Sequence, residues 1–111
     1  MDWVQRDISS YTVMVGGRRL GNKDQKWRYA VELFGDKDGK LPVGRAFFYE
    51  AAVPDDDNIH ENIIYMYQPA SVFPAVMDIL RNERPLYLRY HRPGRHATLS
   101  TAAEIIGEGE M

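Results

Sequence analysis

The segment RYHRPGRHATLST, residues 89–101, carries the side chains of this chain that are best suited to binding or catalytic chemistry. Three arginines and two histidines surround a Pro-Gly pair, which is typical of a turn. Guanidinium groups hold carboxylates and phosphates through paired hydrogen bonds, and imidazoles bind metals or transfer protons near neutral pH. The segment is therefore compatible with an anion-binding surface, a metal site or a solvated hairpin tip.

Alternation of apolar and polar residues predicts how this segment folds. If residues 92–95 form a loop, His91 lies opposite His96 and the flanking residues separate into two faces. The apolar face then consists of Leu86, Leu88, Tyr90, Ala97, Leu99 and Thr101, and the polar face of Tyr87, Arg89, His91, His96, Thr98 and Ser100. The pattern predicts a β-hairpin whose arginines and histidines point outward.

An anion is one ligand that this hairpin could hold, because like charges opposed across strands destabilise a sheet unless they are neutralised. The predicted anion-binding residues are Arg84, Tyr87, Arg89, His91, Arg92, Arg95 and His96, together with Arg18 and Arg19 from the Gly-rich loop 16–26. Tyrosine beside arginine also suits single-stranded nucleic acid, since bases stack on aromatic rings and guanidinium planes. The simplest alternative is a solvated hairpin whose charges keep a sheet edge from aggregating.

Metal and catalytic motifs are weaker. His91 and His96 could share a zinc ion, but a catalytic zinc needs a third protein ligand, which only His60 or Glu61 could supply by folding over. The segment DKDGK at 36–40 lacks the glycine and glutamate positions of a calcium loop and is interpreted as a turn. No serine or glycine-rich segment lies in a catalytic or phosphate-binding context. We therefore predict no metal, no cofactor and no catalytic residue, and an enzyme is the less favoured class.

Composition bounds the class of protein. The chain has 111 residues, of which 44% are hydrophobic and 27% charged, and it contains no cysteine. These values predict one soluble domain over residues 1–111, in the cytoplasm, with no membrane segment, secretion signal or disulfide. The stretch 104–111 is expected to be a flexible tail. A net charge of −2 argues against a generic polyanion binder, but the basic segments 16–28 and 81–96 can still form a local basic surface.

Apolar periodicity predicts the elements that position these residues. Strands are predicted at 3–15, 27–34, 43–53, 63–68, 86–91 and 96–101, and a helix at 71–82. In the helix, Ser71 is the expected N-cap and Pro74 falls in the first turn. The order β-β-β-β-α-β-β indicates an α+β domain, with one main helix on a mostly antiparallel, curved sheet of five or six strands.

The predicted sheet is too large for its helix to cover. A helix of about 12 residues is about 18 Å long, whereas five or six strands span about 24–29 Å. Several central strands are nevertheless apolar on both faces, so a further surface must cover them. Phe48, Tyr65, Met66 and Tyr67 are the predicted residues of this apolar interface or pocket. A tightly curled sheet could cover itself, or a ligand could occupy the apolar face, but a second copy of the chain is the favoured cover because homodimers are the commonest soluble oligomers.

These patterns favour a small, non-catalytic binding or interaction module that self-associates and presents an Arg/His/Tyr hairpin face to an anion. Two alternatives stay open. One is a protein that binds single-stranded nucleic acid through that face. The other is a small enzyme or small-molecule-binding protein that uses the concave, aromatic-lined side of the sheet.

Overall fold

Eight strands and one main helix make up the described part of the chain. The computed structural model of the protein describes residues 2–16 and 27–101, so the predicted tail at 104–111 lies outside the described residues. In chain order the elements are β1 (Trp3–Ile8), β2 (Ser10–Val15), β3 (Tyr29–Phe34), β4 (Pro42–Tyr49), β5 (Asn58–His60), β6 (Ile63–Pro69), a short 3₁₀ helix (Ala70–Val72), α1 (Phe73–Asn82), β7 (Leu86–His91) and β8 (His96–Thr101). The predicted α+β class with one main helix is confirmed.

The strands form two sheets, where the sequence predicts one. Sheet A is antiparallel with the order β1-β7-β8, and sheet B has the order β2-β3-β4-β6-β5. Neighbours in sheet B are antiparallel except β4 and β6, which run parallel. The connection between these two strands, residues 50–62, makes the crossover and also supplies β5, a short strand within the acidic segment 54–62.

A kink at Ser9 divides the first predicted strand between the two sheets. Val4 and Ile8 pack against the core from β1, whereas Tyr11 does so from β2, so the inward-facing positions change from even to odd numbers at the kink. The Ser9 N–H donates to the Phe34 carbonyl oxygen over 2.8 Å, which ties the kink to β3. One continuous segment therefore links sheet A to sheet B.

The core lies between sheet A, sheet B and α1. It contains Val31, Leu33, Ala46, Phe48, Ile64 and Met66 from sheet B, Leu86, Leu88, Tyr90 and Ala97 from sheet A, and Val76, Met77 and Leu80 from the helix. Sheet A thus provides the cover that the helix is too small to give. Phe48 and Met66, which are predicted for an interface or pocket, are buried by the chain's own helix and second sheet.

Sheets A and B approach each other closely at Gly44 in β4. A Cβ atom built on Gly44 would overlap the Cδ2 atom of Leu88 in β7, and Leu88 is itself fully buried. A well-packed interior leaves no room for an added methyl group. Gly44 is therefore a packing requirement of the core between the two sheets.

Helix α1 begins at Phe73, slightly later than the spacing predicts, because Ala70–Val72 form a 3₁₀ turn. Ser71 lies within that turn and does not cap the helix. Pro74 occupies the first turn, where the missing N–H costs little. The helix ends at Asn82, and the chain then enters sheet A directly.

Candidate binding surface

The hairpin of β7 and β8 has the predicted register. His91 lies opposite His96, and residues 92–95 form the turn. Buried and partly exposed residues alternate along the whole of β7. The predicted polar face therefore points away from the core, and Arg92 and Arg95 are exposed at the turn.

Strand β1 lies beside β7 and extends this polar face. In the antiparallel register Trp3 is opposite His91, and Gln5 is opposite Arg89. We use the term outer face of sheet A for the nine side chains opposite the core, which are Trp3, Gln5, Asp7, Tyr87, Arg89, His91, His96, Thr98 and Ser100. The structure thus adds a third strand, and a tryptophan, to the predicted hairpin surface.

Trp3 is the centre of a ring cluster on this outer face. Its ring centroid lies 4.6 Å from that of His91 and 5.8 Å from that of His96, the second contact being edge-on. The Arg89 guanidinium carbon lies 4.5 Å from the Trp3 ring centroid, a cation–π contact worth about 0.5–1 kcal/mol at an exposed site. Trp3 remains 38% exposed, so a large aromatic ring flanked by a guanidinium and two imidazoles faces the solvent.

Trp3 is the residue of this cluster that sequence reasoning missed. The sequence contains a signal for it, because strict alternation along the strand places Trp3 on the same face as the polar residues Gln5 and Asp7. Val4 and Ile8 lie on the opposite face. That alternation marks Trp3 as an outward-facing aromatic residue of β1.

The two imidazoles converge over the hairpin turn, with ring centroids 5.2 Å apart. The Gly94 N–H donates to His91 Nδ1 over 3.1 Å, so this nitrogen is already an acceptor. A Cβ atom on Gly94 would lie 2.8 Å from His91 Nδ1 and 2.7 Å from His96 Nδ1, which explains the glycine at this turn. Within the described ranges, no group of three His, Cys, Asp or Glu side chains is placed to hold a metal ion.

Asp57 fixes the hairpin to sheet B, and the sequence pattern does not predict this role. Its buried carboxylate accepts one hydrogen bond from the Ala97 N–H of β8, over 2.7 Å, and another from the Tyr67 N–H of β6, over 2.8 Å. Burial raises the pKa of the Asp57 carboxyl, and the two backbone N–H groups and nearby His96 partly oppose that rise. One residue of the acidic segment 54–62 therefore holds the two sheets together.

Arg84, another predicted cationic residue, does not join the Trp3 cluster. Arg84 lies before β7, at the end remote from the turn, where it lines a cleft with Ile8 and Lys37. Arg18 and Arg19 lie outside the described residues. The predicted residues that the structure brings together on the outer face of sheet A and its turn are Tyr87, Arg89, His91, Arg92, Arg95 and His96.

The outer face of sheet B, which is the face opposite the core, carries a second group of polar and aromatic residues. Arg45 donates from Nε to the Glu32 carboxylate over 2.9 Å and from a terminal nitrogen to the Tyr65 hydroxyl over 3.1 Å. The hydrogen bond to Glu32 raises the pKa of Arg45, although burial opposes the rise. A cleft of ≈ 260 Å³ lies beside this chain of contacts and is lined in part by Met14 and Phe47.

Much of the aromatic surface on this side of sheet B packs against itself. Trp27 and Tyr49 are buried in a small second cluster, and Phe47 and Tyr67 pack on it. The Asn58 amide lies 3.5 Å from the Tyr67 hydroxyl. Tyr67 and Tyr65 are both half-buried, so each retains only part of the exposure that a pocket would use.

Comparison of the chain with protein-family models, curated proteins and solved structures gives no significant match. None of the helical segments in residues 2–16 and 27–101 is long and apolar enough to cross a bilayer. The function is therefore inferred from the two outer faces themselves.

Proposed function

We propose that this protein is a non-catalytic binding module that holds single-stranded nucleic acid on the outer face of sheet A. The observation that carries the proposal is the exposed Trp3 ring, with Arg89 at cation–π distance and His91 and His96 beside it. Proteins that bind single strands combine aromatic stacking platforms with arginines that follow the backbone. The outer face of sheet A has both the aromatic platform and the arginines within three adjacent strands.

Trp3 favours a nucleic acid over a simple anion. A carboxylate or an inorganic phosphate needs only cations, whereas a base gains about 1–3 kcal/mol from stacking on an aromatic side chain. Arg92 and Arg95 are exposed at the adjoining turn, where they can contact backbone phosphates. A net charge of −2 does not oppose this binding, because the local field of a surface is set by the charges nearest to it.

The outer face of sheet B supports a small-molecule ligand less well. The Arg45 guanidinium is already engaged by Glu32 and Tyr65. The cleft of ≈ 260 Å³ is below the range of about 300–1,000 Å³ that is usual for ligand pockets. Two of the residues predicted for such a pocket, Phe48 and Met66, belong to the core.

Oligonucleotide titration tests the proposal. A fluorescein-labelled oligothymidylate is expected to bind the protein in a fluorescence anisotropy titration at about 50 mM salt, and binding is expected to weaken steeply towards about 200 mM salt. Trp3→Ala is expected to weaken binding about tenfold, the loss of one stacking contact. The Arg92→Ala/Arg95→Ala double variant is expected to reduce the slope of log affinity against log salt by about two.

The matched control is Arg81→Ala, which removes one positive charge from an exposed position on α1. It is expected to bind the oligonucleotide like the unmodified protein. Absence of binding at about 50 mM salt, or equal losses in Trp3→Ala and Arg81→Ala, would contradict the proposal.

We further propose that two copies of this module associate. The support is not the core face of sheet B, which sheet A and α1 cover, but a run of three exposed apolar residues in β2, namely Val13, Met14 and Val15. Consecutive exposed apolar side chains on a strand at the edge of a sheet are typical of a site of association.

A further inference from the structure

Among the strands of the described residues, four lie at the edge of a sheet, and three of these carry a feature that hinders pairing with another chain. Strand β5 is only three residues long. Strand β1 carries the charged residues Arg6 and Asp7. On the free edge of β8, the Asp57 carboxylate already accepts the Ala97 N–H. Short strands, charges and covered backbone groups are the means by which proteins prevent edge-to-edge association.

Within residues 2–16 and 27–101, none of these features protects strand β2. Its sequence, SYTVMV, contains no charged residue, no proline and no glycine. Val13, Met14 and Val15 are 37%, 45% and 71% exposed. Because successive side chains of a strand alternate between faces, these exposures leave the end of β2 open on both faces of the sheet.

The free edge of β2 presents the backbone groups of its odd-numbered residues. The Gly16 N–H donates to the Arg28 carbonyl oxygen of the adjoining chain, so the even-numbered residues of β2 point their backbone groups towards β3. Successive residues point these groups to opposite sides of a strand. Tyr11, Val13 and Val15 therefore direct their N–H and C=O groups away from sheet B.

We infer that two copies of the chain pair antiparallel through their β2 edges, around a two-fold axis at Val13. This register places Val13 opposite its own copy and Tyr11 of each copy opposite Val15 of the other. It is the register that pairs all three outward-pointing residues, and it forms about six backbone hydrogen bonds. The two five-stranded sheets then form one continuous sheet across the dimer.

A second copy fits this edge because β2 is self-complementary. An uncharged strand meets no like charge in an antiparallel copy of itself, and the exposed Val15 gains an apolar neighbour in Tyr11. Strand addition alone gives a small interface, at the lower end of the range for specific complexes. The dimer is therefore expected to dissociate at about micromolar concentration. This inference rests on the self-association proposed for the module and is independent of its nucleic-acid ligand.

Sedimentation equilibrium of the full chain, over a concentration series without oligonucleotide, tests the inference. The unmodified protein is expected to change from monomer to dimer. Val13→Lys places two positive charges opposite each other at the axis, and Val15→Lys places a charge at the most exposed position; each is expected to raise the dissociation constant tenfold or more. The matched control is Leu41→Lys, since Leu41 is also apolar and 57% exposed but lies outside β2. Circular dichroism verifies that all the variants fold.

Cysteine cross-linking locates the contact, because the chain has no cysteine of its own. Oxidation is expected to join Val13→Cys into a covalent dimer and to leave Leu41→Cys monomeric. A monomer at every concentration, or equal behaviour of the Val13 and Leu41 variants, would overturn the inference. The oligonucleotide titration of Val13→Lys separates the two proposals, since loss of the dimer with retained binding of a short oligonucleotide is the expected result.

Discussion

Tyr49 and Tyr90 are both buried, but their hydroxyl groups differ in hydrogen bonding. The Tyr90 hydroxyl donates to the Asp57 carbonyl oxygen over 3.4 Å. The Tyr49 hydroxyl has no hydrogen-bond partner in the part of the chain that the structure describes, and burial raises its pKa to about 12. A buried polar group without a partner costs about 1–3 kcal/mol. The two tyrosines therefore form a matched pair for measuring that cost.

Tyr49→Phe is expected to increase the free energy of unfolding by about 1 kcal/mol, because it removes a hydroxyl that is buried without a partner. Tyr90→Phe is expected to decrease it by about 1 kcal/mol, because it removes a hydrogen bond. Urea denaturation followed by circular dichroism measures both values. Destabilisation of the two variants by the same amount would contradict this prediction.

Single residues are predictable from the sequence when their role depends on local alternation. Arg89, His91 and His96 are placed correctly because one hairpin register separates apolar from polar side chains. Asp57 is missed because a run of three aspartates is typical of a solvated loop, and its partner Ala97 lies 40 residues away in the sequence. A buried acceptor shared by two sheets leaves no periodic signal.

Elements are predictable to the extent that their contacts are local. The helix and the hairpin follow from spacing and from a turn; the hairpin is found where it is predicted, and the helix begins two residues after its predicted start and ends where predicted. The division of sheets A and B is not predictable in this way, because it depends on a change of alternation phase at Ser9 and on the parallel pairing of β4 with β6. Pairing between distant strands is decided by packing of the whole core.

Gly44→Ala tests the packing of the two sheets. It is expected to lower the free energy of unfolding by about 1–3 kcal/mol, because the new methyl group overlaps the Leu88 side chain. In the background of Leu88→Val, which shortens that side chain, Gly44→Ala is expected to cost less, giving a favourable coupling energy in a double-mutant cycle.

The control for this cycle is Gly16→Ala. A Cβ atom at Gly16 has no neighbour within 4 Å among residues 2–16 and 27–101, so the change in stability is expected to stay within about 0.5 kcal/mol. If the changes in the free energy of unfolding caused by Gly44→Ala and Leu88→Val were strictly additive, the side chains of β4 and β7 would not restrict each other.

For the whole molecule, Asp57 makes the connection between the sheets depend on pH. Burial raises its pKa above the ordinary value of 3.8, so the folded state binds the proton more tightly than the unfolded state does. The stability that this group contributes is complete below the unfolded pKa and is lost as the pH rises through the folded pKa. Lowering the pH from 7 towards 4 therefore favours the folded state at this one site.

Asp57→Asn isolates that contribution from the other carboxyl groups. The free energy of unfolding of the unmodified protein minus that of Asp57→Asn is expected to increase as the pH falls from about 7 to about 4. Urea denaturation of both proteins at each pH measures the difference. A difference that is constant, or that decreases towards low pH, would mean that the two backbone N–H groups lower the pKa of Asp57 at least as much as burial raises it.

In the proposed β2-paired dimer, the unbroken chain through Ser9 would make the binding of nucleic acid bivalent. Each copy carries Trp3 and Val13 on the same segment, so the two tryptophans lie at most about 66 Å apart along the two strands. An oligonucleotide long enough to reach both would fill the second surface at a high effective concentration, without any new contact. Affinity would then rise abruptly at a threshold oligonucleotide length, and this threshold would disappear when the two copies are separated.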